Sequence, residues 1–406
     1  MKNILNNINQ LSTQIVLGLI FGLVLFPSLG KTYVIIVFGL TILIKAIKLK
    51  KRFNTKIFLQ NGSLYLLILL TFFYSENQNN AFFLLQTMSS LIIFPLIFSM
   101  FDKNDFIKSY KNLKSFFWIY IAAICLFNTA PFLWYWVTQD TLLEIVTHYP
   151  RAIIIDFGRY TIHPMYISMH NCIAIVFSVY LIKNTTTKLE KYALYILILV
   201  LSIFLIIYMK KGPIISLFIT FSIWSFLDSN LNVRKSIIII LSLVGLVLLI
   251  PSTRKKFLEL TNVKMANSIE DATSSNIRLT IYNNSIKLIK KSPYFGYGIG
   301  DVNDKLKQSY KKNAPFLLDK KYNSHNQYLS FILLGGLGLL IYFVFLYWKT
   351  IVEAFQSKNI LLIVVMCFYS IMMFFENILE REHGVIFFSF FINFFSLKNY
   401  FINEEK

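Results

Sequence analysis

Charge is scarce in this sequence, and acidic charge scarcest. Charged residues make up 15% of the 406 positions, with 20 Asp and Glu against 40 Lys and Arg. A soluble domain carries roughly 25%, so the shortage excludes a soluble globular fold of this size. Cysteine is nearly absent. Cys125, Cys172 and Cys367 lie far apart inside apolar runs, which leaves them packing roles rather than a disulfide or metal framework. The strand alternation of a membrane barrel is missing. So is a small-residue cleavage site after the first apolar run, about 13–28, which therefore reads as a retained helix and not a signal peptide.

What the chain has instead is apolar: 56% hydrophobic and 17% aromatic residues, with a mean hydropathy of +0.59. They fall in runs of about 17–24 residues, enough to cross a hydrocarbon core of about 30 Å. The fold class expected is all-α, a polytopic membrane protein of about twelve spans: 13–29, 32–48, 57–74, 81–100, 115–137, 161–182, 192–209, 212–228, 236–251, 326–348, 359–376 and 384–402. The third is the weakest, because Asn61 and Gly62 interrupt it. The chain divides into helices one to nine (1–251), a long, partly helical outer loop (252–324) and helices ten to twelve (325–406).

The net charge is +20. In a membrane chain much of it is explained by lysines at helix ends facing anionic lipid. Membrane lipids, not nucleic acid, are the partners this implies. Lys45, Lys48, Lys50, Lys51, Arg52 and Lys56 follow the second span, and Lys103, Lys108, Lys111 and Lys114 the fourth. Lys183, Lys188 and Lys191 follow the sixth, and Arg234 and Lys235 the eighth. Positive loops stay inside, so these are cytoplasmic, as are both termini, and the uncharged-to-acidic stretch 75–80 faces out.

Four features then reach the outer face: 138–160, the turn Lys210-Lys211-Gly212, the loop 252–324 and the turn from Glu376 to His383. The long loop holds 14 Lys and Arg against 6 Asp and Glu, a net of +8. Long loops escape the positive-inside rule; the short turn at Lys210 and Lys211 does not, which makes that pair the more informative. Within the loop, 276–291 reads as an amphipathic helix capped by Ser274 or Ser275 and ended by Pro293. Gly296, Gly298 and Gly300 form a turn, and Asp301 can cap a second helix running toward Tyr310. No strand precedes these glycines, which sets aside a nucleotide loop.

Several side chains there can carry chemistry. His325 opens the tenth span, as a polar cap or as a general base, since an imidazole ordinarily titrates near neutral pH. Asn326 and Gln327 can orient the ring or bind sugar hydroxyls. Arg278 is a solvated face charge or a fork gripping a phosphate. Lys210 and Lys211 stand at a helix N-terminus, where free N–H groups favour a pyrophosphate. Glu376 and Glu380, one helical turn apart, can share Arg381 in an ion-pair network or bind an acceptor sugar. Gly335, Gly336 and Gly338 read as close helix packing. His163 and His170, seven apart, share a helix face but lack a carboxylate or cysteine at ligand spacing, so no metal site is expected.

Taken in order, these pieces resemble the O-antigen ligase and polymerase superfamily of bacterial membrane glycosyltransferases. The resemblance rests on Asn276-Ile277-Arg278-Leu279, then Pro293-Tyr294-Phe295-Gly296-Tyr297-Gly298, then His325-Asn326-Gln327-Tyr328-Leu329 with Gly335 and Gly338. It covers about 210–340. It implies glycan transfer from an undecaprenyl-pyrophosphate carrier to an acceptor hydroxyl, on lipid A core or another glycan, at the outer face of the bacterial inner membrane. It also implies catalytic roles for Arg278 and His325 and requires no cofactor. Where such relatives have an arginine before the glycine of the seventh-to-eighth turn, this chain has Lys211, which keeps the charge and loses the bidentate grip. A repeat-unit polymerase is the alternative within the superfamily. A lipid-linked oligosaccharide transporter is the alternative outside it, though transporters place charged or broken-helix sites near the midplane, often in repeated halves.

Overall fold

The computed structural model describes residues 2–138, 142–158, 161–228, 245, 251–266, 268–271, 273–320 and 322–403. Among these the fold is helical, without strands. In chain order the helices are α1 (Lys2–Phe21), α2 (Ser28–Lys48), α3 (Thr55–Leu70), α4 (Gln78–Met88), α5 (Ser90–Ser99), α6 (Lys103–Lys111), α7 (Leu113–Thr138), α8 (Leu142–Phe157), α9 (Pro164–Asn184), α10 (Lys188–Tyr208) and α11 (Lys211–Leu227). They continue with α12 (Pro251–Leu258), α13 (Ser274–Ile289), α14 (Val302–Asn313), α15 (Gln327–Gln356), α16 (Ile360–Met372) and α17 (Glu382–Asn403).

Seven helical segments are long and apolar enough to cross a membrane: Ser28–Lys48, Thr55–Tyr74, Leu113–Thr138, Pro164–Asn184, Lys188–Tyr208, Gln327–Gln356 and Glu382–Phe401. The pair α4 and α5, bent by 40°, makes an eighth if counted as one span. Shorter apolar helices at Ser12–Phe21, Lys211–Leu227 and Ile360–Met372 occupy the expected first, eighth and eleventh positions. The ninth expected span, 236–251, lies almost wholly outside the described residues, as do Arg159, Arg234 and Lys235. Every other expected span coincides with apolar helix, while helix length alone supports seven or eight crossings. The chain is a multi-pass membrane protein.

The described residues form two compact units. One comprises those up to Phe53 and from Met100 to Phe218; the other comprises Asn54–Ser99, Ile219–Asp228 and the chain from Pro251 onward.

The first unit centres on α9, whose span is buried on nearly every side. A helix apolar all round belongs inside a bundle, and aromatic rings fill its contacts: Phe117 stacks on Phe177 with centroids 4.0 Å apart. A buried amide supplies the polar link between helices. Asn128 donates to Asn171 Oδ1 (2.7 Å) and accepts from the Tyr208 hydroxyl (2.9 Å). Loops expected on the cytoplasmic side are tied together by Lys45 with Asp105, Lys51 with Asp102 and Lys114 with Glu190. Two local readings are corrected here. The stretch 138–160, expected as loop, contains α8. His163 stands before α9 as its cap, accepting from Met165 N at 3.3 Å, and His170 lies buried against Tyr120, its Nδ1 2.8 Å from the hydroxyl.

The second unit centres on α17, where Phe390 and Phe394 pack against Phe94 and Phe98 of α5. α3 is continuous through Asn61 and Gly62; a side chain at Gly62 would meet Pro95 at 3.3 Å, so the glycine admits α5. α15 is not continuous. Gly335 (φ −135°, ψ 17°) and Gly336 (φ 73°, ψ −173°) break it, eight and nine residues past its start. The turn 293–298 of the long loop fills the break. Tyr297 N and Gly298 N donate to the carbonyls of Leu333 and Leu334 (2.7 and 2.9 Å), and Leu337 N donates to the Pro293 carbonyl (2.8 Å). A Cβ on Gly336 would sit 1.9 Å from the Tyr294 carbonyl oxygen. The expectation that these glycines pack helix on helix is corrected at Gly336, which admits backbone instead.

The long loop is otherwise close to expectation. α13 is capped by Thr273, accepting from Asn276 N, rather than by Ser274 or Ser275. Asp301 precedes α14, but its carboxylate accepts from Glu76 N and Asn77 N at 2.8 Å each, just before α4, which Asn77 itself caps. An anion at a helix N-terminus meets unpaired N–H groups and a positive dipole end. The contact places the stretch 75–80 and the long loop on one face, as the charge pattern requires.

Candidate functional site

The segment Ser324-His325-Asn326-Gln327 docks onto the turn between α16 and α17, and Asn377 is the hub. Its side-chain oxygen accepts from Asn326 N (2.8 Å) and Ser324 Oγ (3.1 Å), while its Nδ2 donates to Glu380 Oε1 (3.0 Å). Asn377 is 1% exposed, so these bonds are made away from water, where an unpaired amide is costly. Gln327, also buried, accepts from Leu379 N (2.9 Å). Asn326 caps α15, accepting from Tyr328 N and Leu329 N (2.9 and 3.1 Å). The amides of Asn326 and Gln327 thus hold the chain that carries the histidine.

His325 itself has φ 47°, the left-handed region, a conformation that costs of order 1–3 kcal/mol outside glycine. Asn323 Oδ1 accepts from its backbone N–H (3.1 Å). The Tyr282 hydroxyl from α13 is 3.1 Å from its carbonyl oxygen and 2.7 Å from that of Phe374. The strain is therefore held by contacts from the long loop and the last turn.

The imidazole Nδ1 lies 3.2 Å from Glu376 Oε2. The histidine side chain is 22% exposed and the carboxylate 9%, so a substrate can reach the ring but not its partner. Burial opposes ionisation of Glu376. The hydrogen bond from His325, the charges of His325 and Arg278 and the Asn377 N–H together outweigh it and hold the carboxyl below its ordinary range. Glu380 goes the other way. Burial raises its pKa, Ser330, Asn377 and Arg381 offset this in part, and Glu376 adds to the rise. Two carboxyl groups four residues apart are thereby shifted in opposite directions, a pattern that can mark a division of roles.

An ionised carboxylate on Nδ1 fixes the imidazole with Nδ1–H donating and Nε2 as the basic nitrogen. The expected sharing of Arg381 by both glutamates is not what forms. Glu376 is bound by His325, and Glu380 accepts from Ser330 Oγ, Asn377 and, at 3.4 Å, Gln327. Arg381 is exposed and reaches Glu380 only through its charge.

Arg278 stands one turn before Tyr282 on α13, half-buried and close enough for its charge to act on Glu376. The second unit thus brings Arg278, His325, Glu376, Glu380, Asn326, Gln327 and Arg381 into one neighbourhood. Lys210 and Lys211 belong to the first unit. There Met209 turns the chain (φ 50°) and Lys211 begins α11, 8% exposed. Sequence reasoning missed Glu376 as the partner of the histidine, Asn377 as the hub and Tyr282 as the brace; the density of polar groups at 376–383 was the signal available.

Residues 195–344 match the family described as O-Antigen ligase. The match runs from α10 through the break in α15. It takes in Lys211, Arg278 and His325, and ends before Glu376. It is the superfamily to which the motifs pointed. No curated protein matches the chain.

Proposed function

We propose, from an O-antigen ligase segment in a multi-pass membrane chain, that this protein is an inverting glycosyltransferase of the outer face of the bacterial inner membrane. It moves a glycan from undecaprenyl pyrophosphate to an acceptor hydroxyl on lipid A core or a similar glycan. The observation that carries the reading is the partly exposed imidazole bound through Nδ1 to a buried, ionised carboxylate.

In this reading His325 Nε2 takes the acceptor proton as the hydroxyl oxygen bonds to the anomeric carbon. The bond from that carbon to the pyrophosphate oxygen breaks on the opposite face, and undecaprenyl pyrophosphate departs. Glu376 accepts from Nδ1–H and stabilises the imidazolium. Arg278 meets the charge growing on the leaving group, a role for fixed cations aimed at developing negative charge. Lys210 and Lys211 bind the pyrophosphate of the donor. Arg381 and the edge of Glu380 contact the acceptor sugar, while Asn326 and Gln327 keep the histidine turn in register. Because side-chain cations supply the countercharge, a chelator leaves the rate unchanged.

The test is reconstitution with carrier-linked glycan and candidate acceptors. His325→Asn keeps a residue that tolerates the left-handed backbone and removes the base, so transfer should fall by about 10²–10⁴-fold with membrane insertion intact. Full activity of that variant refutes the role. Ligase is preferred to polymerase because the matched family is described as a ligase. Deleting the gene checks it: bare core on a polysaccharide gel indicates a ligase, and core capped with a single repeat a polymerase.

A further inference from the structure

The second unit holds another polar site, at the end opposite His325. A half-open cavity of about 240 Å³ lies among the first turns of α3 and the last turns of α15 and α17, lined by Lys56, Gln60, Asn61, Glu353, Asn399 and Tyr400. Glu353 is twenty-six residues beyond Gln327 on α15, past the break at Gly335 and Gly336. The catalytic reading above uses none of these groups.

Their hydrogen bonding is incomplete in a complementary way. The Glu353 carboxylate accepts from Gln60 Nε2 at 2.5 Å. A carboxylate has room for about four donors, and among the described residues no cation lies within ion-pair distance of it. Across the cavity the unmet groups are donors. Asn399 Nδ2 is buried without a partner, and exposed Lys56 has its ammonium 5.8 Å above the Tyr400 ring. A smaller void of about 50 Å³ continues inward past Gln60 and Asn61 toward Asn393, whose Oδ1 is buried and unpartnered.

A ligand that satisfies both ends carries an ammonium with N–H groups for Glu353 and a phosphate for Lys56 and Asn399. We propose that this cavity binds the phosphoethanolamine headgroup of a membrane phospholipid. A choline headgroup has the charge but no N–H to donate. An anionic glycerol headgroup offers hydroxyl donors to Glu353 but no cation to pair with its charge. The apolar surroundings favour a lipid over a free metabolite: Ile57 and Leu397 line the cavity, and Leu59 and Phe355 are exposed on the same helix ends.

The experiment is native mass spectrometry of the intact protein in detergent, titrated with phosphatidylethanolamine, phosphatidylcholine or phosphatidylglycerol, and separately with soluble phosphoethanolamine. Phosphatidylethanolamine should be retained at least about tenfold more tightly than the other two lipids, as loss of one charge-assisted hydrogen bond implies. Glu353→Gln should abolish that preference. Equal retention of the three lipids by the unmodified protein overturns the proposal, and needs no variant to fold. An unchanged preference in Glu353→Gln does so too. Soluble phosphoethanolamine binding as tightly as the lipid rejects the membrane source.

Discussion

At the scale of single residues, two glutamates beside His325 are shifted in opposite directions. The folded pKa of Glu376 lies below the ordinary 4.5, so its stabilising contribution is full above that value and is lost as pH falls through the folded one. Wild type and Glu376→Gln should therefore differ most in melting temperature near neutral pH and converge in acid. The variant should also lose transfer activity by about 10²-fold, since nothing then fixes the basic nitrogen. Glu380 has the opposite sign. Its raised pKa stabilises below 4.5 and is lost as pH rises through the folded value, so Glu380→Gln should remove a loss of stability that wild type shows as pH rises above 4.5. His325 and Arg278 each sit in a short local motif that sequence alone can single out. The histidine's partner was not legible: it lies 51 positions away, and only the hub at Asn377 brings it near.

At the scale of elements, the clearest test compares two glycines on one helix. Gly336→Ala places a methyl group into the Tyr294 carbonyl at a φ that L residues avoid, and should cost about 3 kcal/mol or more. It should appear as a lowered melting temperature or loss of a monodisperse species. A methyl group on Gly338 would meet nothing within 4 Å, and Gly338→Ala should be neutral or raise stability by up to about 1 kcal/mol. Sequence spacing alone gives both glycines the same packing role. What separates them is the backbone of 293–298, some forty residues earlier in the chain, lodged in the broken helix. Asp301 teaches the same lesson. It reads as a local cap, and its carboxylate instead binds the N–H groups of Glu76 and Asn77, 225 and 224 positions away. Helix positions were legible from apolar runs and lysine clusters; these long-range backbone contacts leave no periodic trace.

At the scale of the whole molecule, the charge pattern assigns sides. Single cysteines at Asn79 and Lys307 should react with an impermeant thiol reagent from outside, and ones at Lys111 and Lys188 only after permeabilisation. Cys125 and Cys172 are buried, and replacing the half-buried Cys367 with Ser keeps background labelling low. Labelling of Asn79 and Lys307 from opposite sides contradicts the Asp301 contact; labelling of both from inside reverses the proposed topology.

The lodged turn has a kinetic consequence. α13 is strapped at its start, where Lys264 N and Ala266 N bind Asn276 and Thr280, and the chain just after it is wedged into a transmembrane helix. An arm pinned at both ends cannot swing open between cycles. In the proposed reading, the entropy of ordering Arg278 is met once, during folding, and a lipid-borne donor enters a site whose arm is already in place.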